Sequence, residues 1–150
     1  MLTINTEKPA ECSIMIRIPS WAAKEMAVLV NGKKKATGEP GTYVKLSQKW
    51  NDGDQISFVL PMEFRLTEYA GEEKFPDRER YALEYGPLLM AYVNMKGEED
   101  NLALIVDYRK LLKSLKPVTG KPLHFTVNGN TEFEYLPYFE VQDEPFSCFP

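Results

Sequence analysis

One histidine, two cysteines and 22 acidic side chains carry most of the reactive chemistry available in this 150-residue sequence. His124 stands in Leu123-His124-Phe125-Thr126-Val127, at opposite parity to Leu123, Phe125 and Val127. A triad base needs a nucleophile and an orienting carboxylate held close to it, and the sequence marks neither. His124 therefore reads as an ordinary exposed histidine on the more polar face of a strand. Together with the widely separated Cys12 and Cys148 it matches no familiar metal-ligand spacing, so no metal site is expected. The two cysteines could pair only if strands near the two ends lay side by side. Sequence leaves that open, and two unpaired thiols are the reading adopted. No glycine-rich loop joins a strand to a helix in the manner of a phosphate cradle.

Glycosidases need two carboxylates at a set separation. Glu63, Glu68, Glu84, Glu132 and Glu134 all fall in or beside expected strands, where alternation makes them the solvated face of a one-sided sheet. No catalytic residue is assigned. Aromatic surface is the remaining signal, because exposed Trp or Tyr rings stack on sugar faces. Of Tyr69, Tyr81, Tyr85, Tyr92 and Tyr138, Tyr69 borders a charged loop and is expected to be exposed. Tyr69, Arg78 and Arg80 are accordingly the expected contacts for a glycan or a protein partner. Tyr81 and Tyr85 are in phase with Leu83 and should pack inward, and Trp21 and Trp50 read as core plugs.

The elements that must position these residues read as strands. In residues 43–50, Val44, Leu46 and Trp50 share one parity while Tyr43, Lys45, Ser47 and Lys49 share the other, the period of a half-buried strand. Asn51-Asp52-Gly53-Asp54 supplies a turn, and Ile56, Phe58 and Leu60 resume the alternation until Pro61 ends it. Upstream, strands are expected at 2–6, 12–18 and 26–30, the last followed by Asn31-Gly32, a strong hairpin signal. Lys33-Lys34-Lys35 is a solvated hairpin tip. Strands at 62–67, 80–85, 88–93, 123–128 and 132–136 follow, with an irregular charged loop at 69–79. Tyr108, Leu111, Leu112 and Leu115 recur at helical spacing, so one short helix is expected over 107–116, with Asp107 at its start and Pro117 beyond its end. Residues 137–150 show little periodicity. Many short strands with close turns predict an all-β, antiparallel β-sandwich with one short helix, built as a single domain over 1–150.

The net charge of −4 argues against a nucleic-acid surface. No apolar run has the length of a membrane span, so no membrane partner is expected. Residues 1–11 are polar and lack the apolar centre of a signal peptide.

The order Ile16-Arg17-Ile18-Pro19-Ser20-Trp21, Val30-Asn31-Gly32, Gly41-Thr42-Tyr43 and Trp50-Asn51-Asp52-Gly53-Asp54 resembles the C-terminal β-sandwich region of glycoside hydrolase family 127 and its bacterial relatives, which include β-L-arabinofuranosidases. Tyr85-Gly86-Pro87-Leu88 fits the same pattern, and the resemblance runs from about Leu2 to Val93. It is weaker beyond Gly97, although Leu136-Pro137-Tyr138 fits the end of the region. The resemblance implies that chemistry resides in an (α/α)6 barrel preceding this region, where a cysteine nucleophile sits in a zinc site of Cys and Glu ligands. Cys12 and Cys148 do not reproduce that set. The chain is thus expected to be a C-terminal fragment, beginning inside the sandwich, of a larger glycoside hydrolase whose barrel is absent. As this fragment it would be no enzyme and need no cofactor. Its expected partner is the barrel of the same protein, with homo-oligomer contacts or a glycan as further partners. The parent's compartment stays open between periplasmic, secreted and cytoplasmic.

Overall fold

Alternating burial along residues 43–50 shows how the strands are made. Val44, Leu46 and Trp50 are buried while Tyr43, Lys45, Ser47 and Lys49 face solvent, because successive side chains of a pleated strand point to opposite faces. The computed structural model describes residues 1–72, 79–97 and 107–149. Over these described residues its sheets are antiparallel and it has one short α-helix, the predicted class. The chain divides into two compact units, Met1–Glu63 and Phe64–Pro150, a finer division than the single 1–150 domain read from the sequence.

The first unit contains β1 (Leu2–Thr3), β2 (Ala10–Arg17), β3 (Met26–Val30), β4 (Lys33–Gly38), β5 (Tyr43–Trp50) and β6 (Gln55–Ser57). A four-stranded sheet in the order β1-β6-β3-β4 and a two-stranded sheet of β2 and β5 share one core. That core draws Ile16, Val44, Leu46 and Trp50 from the smaller sheet and Met26, Val28, Val30 and Ile56 from the larger. Two layers closing on one apolar interior make this unit a sandwich. Trp50 is a buried plug, as expected, and Trp21 is half-buried against the same cluster. Its β3–β4 hairpin turns on Asn31 (φ 50°) and Gly32 (φ 76°), the left-handed pair that a two-residue turn of this kind requires.

Two strands are shorter than the alternation suggested. The first covers only Leu2–Thr3, and the return arm after Gly53 pairs only over Gln55–Ser57. Phe58 and Leu60 leave the ladder but still pack on the core. Their apolar phase was real, therefore, although it reports burial and not pairing.

The second unit contains β7 (Phe64–Glu68), β8 (Tyr81–Tyr85), β9 (Leu88–Asn94), α1 (Tyr108–Ser114), β10 (Leu115–Pro117), β11 (Phe125–Val127), β12 (Asn130–Pro137), a 3-10 turn (Tyr138–Glu140) and β13 (Phe146–Ser147). Its strands form one sheet in the order β10-β11-β12-β9-β8-β7, with β13 also paired to β9. One face packs Leu83, Met90, Tyr92, Val127 and Tyr135 with Leu111 of the helix. The other buries Ala91, Val93 and Leu136 with Val141 and Cys148 of the C-terminal segment. In this unit the sheet is covered by the helix on one face and by the folded tail on the other.

The helix begins at the predicted place, with the carbonyl of Asp107 accepting from the amides of Lys110 and Leu111. It stops at Ser114, and Leu115–Pro117 switches to a strand against β11. Leu115 keeps its apolar contact in the extended form, which is why helical spacing alone overran the boundary.

Candidate functional site

Tyr69 and Arg80 meet because each lies one residue outside a pair of neighbouring strands. The Tyr69 amide donates to the Arg80 carbonyl at 2.8 Å, extending the β7–β8 ladder beyond its last pair, Glu68 and Tyr81. The Arg80 guanidinium carbon lies 4.1 Å from the centre of the Tyr69 ring, a cation–π contact. The edge of Phe149 meets the same ring at 5.1 Å. Any side chain added at Gly71 would strike the Tyr69 hydroxyl and ring. Tyr69 is thus half-buried, with ring contacts to Arg80 and Phe149, where the sequence suggested an open stacking platform. Arg78 lies outside the described residues.

His124 stands in surroundings that the strand alternation did not anticipate. Leu123 just before it is left-handed (φ 63°), a conformation that costs a residue bearing a Cβ, and the reversal sets His124 at the mouth of β11. Its ring is held between two acids. Nδ1 is 2.9 Å from Glu134 Oε2 and Nε2 is 3.1 Å from Glu140 Oε2. The Lys121 ammonium reaches both Glu134 oxygens at 3.3 Å.

His124 and Glu134 keep only 14% and 7% of their side-chain surface exposed, which corrects the expectation of an exposed histidine and of Glu134 on a solvated face. The parity was right, since Glu134 pairs with Thr126 across β11–β12 and shares a face with it. The covering was missed: the tail that folds over this face carries no periodic signal. A buried carboxylate needs partners, and Lys121 and His124 supply them.

The other carboxylates divide. Glu63 and Glu68 are exposed, and Glu132 pairs with Lys96. Glu84 accepts two hydrogen bonds from Arg65 at 2.8 and 2.9 Å and one from the Thr67 hydroxyl at 2.6 Å. Partial burial pushes its carboxyl up, but the Arg65 and Thr67 bonds and the Arg65 charge outweigh that and leave it below the usual carboxylate range. Tyr81 and Tyr85 lie on the strand as predicted, with the Tyr81 hydroxyl donating to Glu79 and Tyr85 packed against Phe64.

Exposed aromatic surface lies elsewhere, at Tyr43 on β5 and in a group on the C-terminal segment. Tyr138, Phe139 and Phe146 keep 51%, 68% and 42% of their surface, and the Tyr138 and Phe146 rings meet edge-on at 5.7 Å. Sequence reasoning named Tyr138 only in passing, because nothing in 137–150 showed which residues would face out.

Chemically, the His124 group can hold a proton between two acids. Both ring nitrogens face carboxylates in place of the hydroxyl or thiol that a triad base must activate. Among the described residues no three His, Cys, Asp or Glu side chains are placed to hold a metal ion. Cys12 and Cys148 are both free thiols.

The class defined by these features is an all-β, antiparallel chain with one short helix among the described residues. Residues 1–62 match the family model described as "Beta-L-arabinofuranosidase, GH127 middle domain". The match ends within a residue of the boundary between the two units. It is narrower than the stretch from Leu2 to Val93 over which the resemblance was read, and the model describes a middle rather than a C-terminal domain. No curated protein matches the chain in sequence. A solved structure titled "Glycoside hydrolase" shares the fold, with a TM-score of 0.59 at 17% identity over 98% of this chain. The chain spans 29% of the length of that protein.

Proposed function

We propose that the chain is a non-catalytic accessory module of a family-127-like glycoside hydrolase, acting by packing against a catalytic barrel and stabilising it. The observation that carries this reading is the coincidence of the family match over residues 1–62 with the structural unit Met1–Glu63. The shared motifs support it further, because they act as fasteners within the sandwich. Asn31 donates to Asp54 at 2.8 Å and accepts from the Gln55 amide at 2.8 Å, so one hairpin turn is clasped to the other. Asp54 in turn accepts from the Asn51 amide, and Asp52 accepts from Thr6. Residues spent on holding turns together suit a module whose task is shape. Contact between copies of the parent is a second role open to the same surfaces.

The test joins the chain to the (α/α)6 barrel of a family-127 enzyme and compares thermal stability and turnover with those of the barrel alone. The reading expects the fusion to be more stable and the isolated chain to leave aryl β-L-arabinofuranosides uncleaved. Identical stability and activity with and without the chain would count against it.

The exposed Tyr138, Phe139 and Phe146 favour one alternative, a carbohydrate-binding module. Calorimetric titration with arabinose-containing oligosaccharides tests it: a saturable heat lost on Tyr138→Ala supports it, and none at millimolar sugar retires it.

A further inference from the structure

The geometry points to a proton-operated clip, closed by His124, that fastens the turn Tyr138–Glu140 to the start of β11. Imidazole can donate from both nitrogens only when it carries its extra proton, and an ionised carboxylate can only accept. With Glu134 2.9 Å from Nδ1 and Glu140 3.1 Å from Nε2, both contacts are hydrogen bonds in the imidazolium alone. Loss of the proton leaves one nitrogen lone pair directed at a carboxylate oxygen.

The two acids are not equivalent, and this decides which contact opens. Glu134 is 7% exposed, on β12, and is also held by Lys121 from the connection between β10 and β11. Glu140 is 40% exposed and sits on a turn with no buried residue. Neutral imidazole therefore keeps its remaining proton on Nδ1 for Glu134, and Glu140 turns to water.

The charged groups facing this point are Glu134 from β12, Glu140 from the turn and Lys121 from the β10–β11 connection. Glu144, on the tail, is drawn into the same field through Lys121. Thr126, the neighbour on β11, carries no charge. Opening releases one proton, so rising pH drives it. The turn that is freed carries Tyr138 and Phe139 and leads into Val141, which covers Ala91, Val93 and Leu136. The clip thus couples pH to the placement of the exposed aromatic segment.

Amide exchange of the intact chain followed by NMR tests this, corrected for intrinsic rates. The probes are the Val141 amide, bonded to Tyr138, and the Asn94 amide, bonded to Pro145. Imidazole nitrogen shifts are read in parallel to show which nitrogens are protonated. Between about pH 5.5 and about pH 8.5, protection of the Val141 amide should fall about tenfold, the scale of one charge-assisted hydrogen bond. In Glu140→Gln, whose amide accepts from either nitrogen or donates to it, the fall should disappear while the Asn94 amide stays protected. His124→Phe should also lose the pH dependence. A flat profile in the unaltered chain, or an unchanged fall in Glu140→Gln, overturns the clip.

Discussion

Glu84 and Glu134 show how little a residue type says by itself. Both are glutamates on strands, and alternation assigns both to a polar face. Glu84 stays near solvent and gathers Arg65 and Thr67. Glu134 is covered by the tail and gathers His124 and Lys121. The parity of each was legible, because the period of a strand is fixed by backbone geometry. Whether a face is wet depends on what folds over it, and that cover is aperiodic sequence far along the chain.

The Glu84 carboxyl, held below its ordinary value of 4.5, gives a signed expectation. A depressed acid stabilises the fold in full above the ordinary value, and the contribution fades as pH falls through the lower folded value. A carbon-detected NMR titration should therefore place the Glu84 midpoint below 4.5, and Arg65→Gln should move it upward. A midpoint at or above 4.5 in the unaltered chain would contradict the network.

At the scale of elements, the hairpins with the strongest turn chemistry were the most legible. Asn31-Gly32 and Asn51-Asp52-Gly53-Asp54 needed only local rules: left-handed backbone at Asn31, Gly32 and Gly53, and Asx side chains satisfying nearby amides. The clasp between the two turns was not legible, since it joins positions that no local pattern links. Hydrogen bonds donated by the Asn51 amide and then by the Asn31 side chain hold the Asp54 carboxyl below the usual carboxylate range, against desolvation.

Asn31→Ala removes both side-chain bonds of the clasp and leaves a Cβ-bearing residue without local support at a left-handed position. Both tryptophans of the sequence lie in this unit, so tryptophan fluorescence during urea unfolding reports on it. The midpoint should fall by about 0.5–1 M, and an unchanged midpoint would show the clasp to be dispensable. The helix and tail were read less well. Leu115 satisfied helical spacing while belonging to a strand, and residues 137–150 gave no sign of the turn and strand they form.

For the whole molecule, the class was legible and the division was not. Short alternating strands announce an all-β antiparallel chain, but nothing marks Glu63 and Phe64 as the boundary between two compact units. The pattern is continuous across it. The family match, confined to residues 1–62, follows the division that the contacts reveal.

A module of this kind should show its worth in a neighbour. Interfaces between domains of one chain bury about 600–1,500 Å², and a gain of 1 kcal/mol moves the melting temperature of a larger domain by about 2–4 °C. The most direct measurement is therefore the calorimetric melting temperature of a family-127 barrel with and without this chain fused to it. The account predicts a rise of at least about 2–4 °C with the chain attached. Independent melting of barrel and module at unshifted temperatures would contradict it.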